Sequence, residues 1–261
     1  MDYTAAIINQ YMADFLLPFA RISALIMSMI AFGSKTIPRP IKVALSVILT
    51  IAVMPTIPPA RVDNLFSFAT TLLIGEQMII GLMLGFITLL VLNTFVLAGQ
   101  IIAMQTGLGF ASLVDPASGT NVPAVGQFFL ILSTLLFWAM DGHLTYIQFV
   151  IASFHTFPIP MTSFDAIKFK ELVEWASWMF ATALSLSLAP VTAMLLINFS
   201  FGIMTRAAPQ LNIFSIGFPI TMTAGLLIMW LTMGNFLAYF DIQWQRAVSF
   251  SCQFVGCTLP K

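Results

Sequence analysis

Long apolar runs separated by short polar or proline-broken stretches set the pattern of this chain: Ile7 to Phe32, Ile41 to Ile57, Leu65 to Ile102, Gln127 to Phe157, Leu172 to Phe201 and Ile213 to Phe240. Most reach the ~20 residues that an α-helix needs to cross the hydrocarbon core of a bilayer. The pattern therefore predicts an all-α, polytopic membrane protein of about six hydrophobic helices or broken helical hairpins. Ile41 to Ile57 is marginal for a straight span, ending in Pro55 with Pro58 and Pro59 beyond it. Leu65 to Ile102 is longer than one span requires, and reads either as one long tilted helix or as two half-helices meeting at a break. Within it, Gly81 and Gly85 form a GxxxG that lets another helix approach closely. Asp141-Gly142-His143 predicts a break in the fourth run. Met161 to Glu174, rich in Lys and Glu, reads as an exposed connection or an interfacial helix. Pro219 falls near the start of the last helix, where a missing N–H costs little.

The longest interruption runs from Gln100 to Pro123. Gly107, Gly109 and Gly119 permit backbone angles that other residues avoid, and Asp115-Pro116 and Asn121 to Pro123 disfavour a continuing helix. The stretch is not a solvated linker: Asp115 is its single ionisable side chain, and Met104, Leu108, Phe110, Leu113 and Val114 are interleaved among small residues. At membrane depth, irregular backbone survives only inside protein or along a watery cavity, because lipid cannot satisfy its N–H and C=O groups. A pore, gate or binding cavity is the first functional expectation.

Composition sharpens the class. Apolar residues make up 59% of the chain and charged residues only 8%, against roughly 25% charged in ordinary globular domains; the mean hydropathy is +0.98. Ten basic and ten acidic residues cancel, and no basic stripe proposes nucleic acid. Loop charges do not favour either face, so the orientation of the chain is undecided. Residues 1–9 carry Asp2 and no Lys or Arg, so no signal peptide is evident and the first helix is expected to be retained.

The few polar groups inside apolar runs are the candidate contacts. An intramembrane charge costs roughly 2.5 to 3.5 kcal/mol on insertion scales, so Asp14, Arg21 and Glu76 are expected to face protein or water. Asp14 and Arg21 share a helix face but are too far apart to pair with ease. Glu76 reads as a structural partner for Arg21 or for another subunit more than as a proton relay, which needs a chain of such groups. Arg21, Glu76, Arg206 and Gln210 are the expected inter-subunit polar contacts. Cys252 and Cys257 are spaced too widely for a CxxC pair and read as two unremarkable thiols. His143 and His155 lack a ligand set, so neither metal nor cofactor is expected. No nucleophile elbow, P-loop or HExxH motif proposes an enzyme.

The stretch MQTGLGFASLVDPASGTNVPAV, followed downstream by TRAAPQLNIFSIGFPITMTAG, resembles the FliR family of flagellar export-gate subunits, shared with type III secretion injectisomes. IPRPIKVALS at Ile37 to Ser46, IGEQMIIGLMLGF at Ile74 to Phe86 and DGHLTYIQFVIASFHTFPIP at Asp141 to Pro160 support it in the same order. The resemblance covers nearly the whole chain and is weakest beyond Phe240. It implies a single membrane domain over 1–261 in a helical export-gate assembly with FliP-family and FliQ-family subunits, contacted by the FlhB family. It implies a bacterial inner membrane location in the flagellar basal body, and unfolded flagellar subunits as export substrates. It also implies a plug-like loop at 104–123, which carries Gly107, Gly109, Phe110, Leu113, Val114, Asp115 and Pro116. Two other classes stand beside it. A secondary transporter would use broken helices and Glu76 for a midplane site, and a structural scaffold would use the polar breaks only for docking.

Overall fold

The computed structural model describes residues 2–33, 37–60, 62, 67–110, 112–114, 121–159, 166–207 and 213–257. Among these residues the structure is helical apart from one short pair of strands. α1 (Asp2–Ser28) runs into the single turn α2 (Ile30–Gly33), followed by α3 (Arg39–Val53) and α4 (Phe68–Thr106). The strands β1 (Ser112–Val114) and β2 (Asn121–Pro123) come next. α5 (Ala124–Ala139), α6 (Gly142–Thr156), α7 (Ala166–Ala207), α8 (Ile213–Thr232) and α9 (Phe236–Val255) complete the order. Five stretches are long and apolar enough to cross a membrane, and the bent pair α5 and α6 makes a sixth if counted as one broken span. This is a multi-pass membrane architecture.

The third apolar run resolves as one continuous helix. No proline interrupts it, so every residue keeps its i to i−4 donor. At 1.5 Å per residue the 39 residues of α4 and the 42 of α7 reach about 58 and 63 Å, twice the ~30 Å of a hydrocarbon core. The Lys- and Glu-bearing segment before Leu172 forms the first turns of α7, where Lys170 and Glu174 pair on the exposed surface at 3.6 Å.

The break at Asp141-Gly142 is as the triplet predicts. α5 and α6 bend by 63°, Asp141 takes a left-handed φ of 53°, and its carbonyl accepts N–H bonds from Leu144 and Thr145 at 3.0 and 3.1 Å. Gly142 is required there, because a Cβ would lie 2.6 Å from the Phe137 ring.

Two expectations about the C-terminal part are corrected. Pro219 lies well inside α8, since the helix starts at Ile213, so its missing donor removes a real helix hydrogen bond. The residues from Asp241 to Val255 belong to the amphipathic helix α9. That helix ends in a Schellman turn: Gly256 has a φ of 69°, its N–H donates to the Gln253 carbonyl at 3.2 Å, and the Cys257 N–H donates to the Cys252 carbonyl at 2.9 Å. Cys252 and Cys257 are not two thiols but a disulfide. The turn brings together the two positions that usually make its apolar contact.

The chain packs as two compact units. The first comprises residues 1–90, 137–174 and 246–261. In it, α4 receives α1 at two glycines: Gly81 faces the Arg21 carbonyl and the Leu25 amide, and Gly85 faces Ser28 and the Met29 amide. The GxxxG thus serves a helix of the same chain. α3 turns a spine of buried polar residues inward, in which Ser46 and Thr50 donate to the carbonyls of Lys42 and Ser46 at 2.8 and 2.7 Å. The second unit comprises residues 91–136 and 175–245. Its centre is aromatic, with the Phe95 ring 4.9 Å from Phe236 and 5.5 Å from Phe240, and Phe129 5.2 Å from Phe236.

Candidate functional site

The described residues of the interruption between α4 and α5 carry regular structure. α4 stops at Thr106 because Gly107 adopts a φ of 79°, the left-handed exit that ends many helices. A 3-10 turn over Leu108–Phe110 follows, then β1 and β2 pair antiparallel with Ser112 opposite Pro123, Leu113 opposite Val122 and Val114 opposite Asn121. Strand pairing satisfies backbone groups that lipid could not. Gly109 lies in the 3-10 turn, where a Cβ would stand 3.4 Å from the Met104 Cα, so the loop folds back over the last turn of α4. The backbones of Phe110, Leu113 and Val114 lie in the turn and in β1, while Asp115 and Pro116 fall outside the described residues.

The two feet of the hairpin are drawn together by glycine. A Cβ on Gly99 of α4 would lie 2.8 Å from the Gly126 Cα of α5, only three residues beyond β2. α8 supports the same end of α4: a Cβ on Gly225 would lie 2.5 Å from Thr106 Cγ2, and one on Gly107 would lie 3.2 Å from the Phe218 ring. Phe218 and Gly225 carry no polar chemistry, so their role was not legible from the sequence. A glycine followed seven residues on from an aromatic is too common a pattern to single out.

Arg21 is the centre of a second arrangement, in the first unit. It is fully buried. Its Nε donates to Gln77 Oε1 at 2.9 Å, its Nη1 to Ser153 Oγ at 2.9 Å, and its Nη2 to Gln77 Oε1 and to the Phe157 carbonyl at 3.0 Å. The guanidinium also stands 4.2 Å from the centroid of the Phe154 ring. No carboxylate pairs with it among the described residues. Phe157 caps the C-terminus of α6, where a helix carries partial negative charge, so the end of α6 acts as the counter-ion. Arg21, expected as an inter-subunit contact, thus finds hydrogen-bond partners within its own chain. Gln77 and Ser153 were missed because a lone Gln or Ser in an apolar run has many bland uses.

The other polar candidates separate. Asp14 accepts bonds from Gln10 Nε2 at 3.0 Å and from the Ala60 amide at 2.8 Å, which ties the proline-rich end of α3 to α1. Glu76 lies half-buried on α4, and its Oε2 is buried without a hydrogen-bond partner among the described residues. Its neighbours Leu72 and Ile79 on the same helix face are exposed. Arg206 is exposed at the end of α7, and Gln210 falls outside the described residues. The His143 ring packs against Trp138, with centroids 4.4 Å apart and planes tilted by 40°.

Comparison with known proteins agrees with this architecture. The family described as bacterial export proteins, family 1, matches residues 12–247. The flagellar biosynthetic protein FliR of Escherichia coli (strain K12) is 37% identical over 212 residues, 81% of each chain. That of Pectobacterium carotovorum is 37% identical over 223 residues, 85% of each chain. That of Bacillus subtilis is 27% identical over 221 residues, 82% of this chain and 84% of its own. With nearly its whole length matched and its helices and broken segments in place, the chain belongs to bacterial export protein family 1, the family of the flagellar biosynthetic proteins FliR.

Proposed function

We propose that this chain helps form and close the channel through which unfolded flagellar subunits leave the cell. At the coarser level it is a multi-pass membrane component of a flagellar export apparatus. The observation that carries the finer reading is the hairpin from Gly107 to Pro123, ordered at its feet by Gly99 and Gly126 and almost free of charge. An apolar loop of this kind closes a constriction by excluding water and ions, and without salt bridges it moves aside at modest cost. Gly107, Gly109, Phe110, Leu113, Val114, Asp115 and Pro116 form the plug in this reading.

The assembly would comprise FliP-family and FliQ-family subunits with an FlhB-family contact, in the bacterial inner membrane at the flagellar basal body. Two features support partners over lipid alone. α4 and α7 are twice as long as a bilayer core is thick, and α8 and α9 leave Leu226, Leu227, Trp230, Leu231 and Leu237 exposed. Glu76, with an orphaned buried oxygen on an otherwise apolar face, is the proposed inter-subunit contact on α4, joined by Arg206 and Gln210. The continuity of α4 through Glu76 favours this reading over a transporter with a broken-helix site at Glu76.

Deleting Phe110 to Thr120 tests the plug. The expected result is an assembled complex that leaks ions or small solutes across the membrane. A deleted complex that assembles fully and stays as tight as the wild type overturns the assignment.

A further inference from the structure

We infer that α4 carries a seam for one transmembrane helix of another subunit, a helix that brings a lysine or arginine to Glu76; this rests on the reading above that Glu76 contacts a partner. The seam is written in the spacing of positions along the helix. Phe68, Leu72, Gly75, Ile79, Leu82 and Phe86 follow one another at alternating steps of four and three residues, the a and d positions of a heptad. Of the six large apolar side chains exposed between Phe68 and Phe86, only Met78 stands off this line. α1 does not use it, because α1 meets α4 at Gly81 and Gly85, on another face of the helix. From Phe68 to Phe86 the line rises about 27 Å, close to the ~30 Å of a hydrocarbon core, so one span of a partner covers its whole length.

Relief and charge say what kind of helix fits. A Cβ on Gly75 would meet nothing within 4 Å, so a partner backbone comes nearest at that level. Further along, Ile79, Leu82, Met83 and Phe86, with Ser28 of α1 and Leu172 of α7, line an open apolar groove of about 370 Å³, a hole for a large apolar knob. Glu76 directly follows Gly75 and takes the e position, the flank at which paired helices set opposite charges against each other. Its Oε2 is buried with no hydrogen-bond partner among the described residues, and lipid offers none. A second copy of the chain presenting the same seam brings no cation, since α4 contains neither lysine nor arginine. A helix with a basic residue in its apolar span does, and the pairing offsets the cost that each charge carries alone.

The test places a photoactivatable amino acid at Ile79, Leu82 or Phe86 of the full chain in its native membrane assembly, with Met78 as the control off the line, and reads the crosslinked peptides by mass spectrometry. Ile79 and Phe86 are expected to join residues about seven apart on a single helix of a different subunit. That helix is expected to carry a lysine or arginine at the level of Glu76, and Met78 is expected not to join it. Glu76→Lys is expected to lower recovery of that subunit about tenfold or more, and Glu76→Gln to lower it less. Changing the located basic residue to glutamate is expected to restore recovery with Glu76→Lys. Crosslinking alters no charge, so it decides the matter even where Glu76→Lys fails to insert. If the Glu76 variants lose the partner while the crosslinks run to lipid, to several helices or to a helix without a basic residue, the seam is overturned although the Glu76 contact stands. If both Glu76 variants recover wild-type amounts, the contact reading fails and the basic partner helix fails with it.

Discussion

Arg21 is held twice by α4: its carbonyl packs against Gly81, and its guanidinium bonds Gln77 one turn earlier on the same helix face. The close approach and the buried charge therefore depend on each other. Only a residue without a side chain at Gly81 lets α1 come near enough for Arg21 to reach Gln77.

Gly81→Ala is expected to cost the protein at least about 1 to 3 kcal/mol, because a Cβ meets rigid backbone of α1 that cannot move aside. Gly75→Ala, on the same helix but with nothing within 4 Å, is expected to be neutral or to gain up to about 1 kcal/mol in helix propensity. Thermal denaturation of the two variants in one detergent checks the contrast. Equal losses would show that α4 tolerates α1 at a greater distance.

Arg21→Met is expected to lose about 1 to 3 kcal/mol, since the buried Gln77 Oε1 would lose its donor. Arg21→Lys is expected to recover only part of this, because an ammonium cannot reproduce a planar fork shared among Gln77, Ser153 and Phe157. Adding Gln77→Leu to Arg21→Met is expected to cost less than the sum of the two single changes. A double-mutant cycle on unfolding midpoints reads this directly; strict additivity would mean that the two side chains do not act together.

Intact protein denatured without reductant is expected to take up no alkylating reagent at Cys252 or Cys257, and to take up two equivalents after reduction, as mass spectrometry would record. Replacing either cysteine by serine is expected to lower stability by about 2 kcal/mol, the loop-closure value for so short a ring. Alkylation before reduction would remove the disulfide from the native state.

Glu76→Leu is expected to leave the packing of α1 on α4 unchanged, because the carboxyl bonds nothing there through Oε2. Its effect belongs to assembly: recovery of the chain with its membrane partners should fall by about tenfold, the loss of roughly one charged hydrogen bond. Wild-type recovery of the complex would rule out Glu76 as an inter-subunit contact.

Helices were easy to read because lipid imposes length and hydrophobicity, and both are visible along one dimension. The runs around Arg21, Glu76 and Pro190 all became helices, and Asp141-Gly142-His143 broke where a left-handed residue and a glycine coincide. α9 escaped notice because its one apolar face is diluted by Asp241, Gln243, Gln245 and Arg246, so average polarity concealed a helical period. The loop between α4 and α5 was legible as a break from its glycines and prolines, yet its strand pairing depends on cross-strand register that local composition does not encode. Arg21 was legible as costly, but its partners within the chain were not. Gln77, Ser153 and the end of α6 meet it only after three helices have packed.

The surplus length of α4 and α7 bears on the order in which this protein is made. Each emerges from the ribosome as a segment about twice as long as the membrane can hold, so lateral exit from the insertion machinery leaves apolar turns standing in water on one side. Those turns remain an aggregation hazard until something covers them. Synthesis of this subunit is then safe only where its covering surfaces already exist or arrive within its insertion time. A flagellated cell must coordinate the production of the assembly by timing as well as by amount.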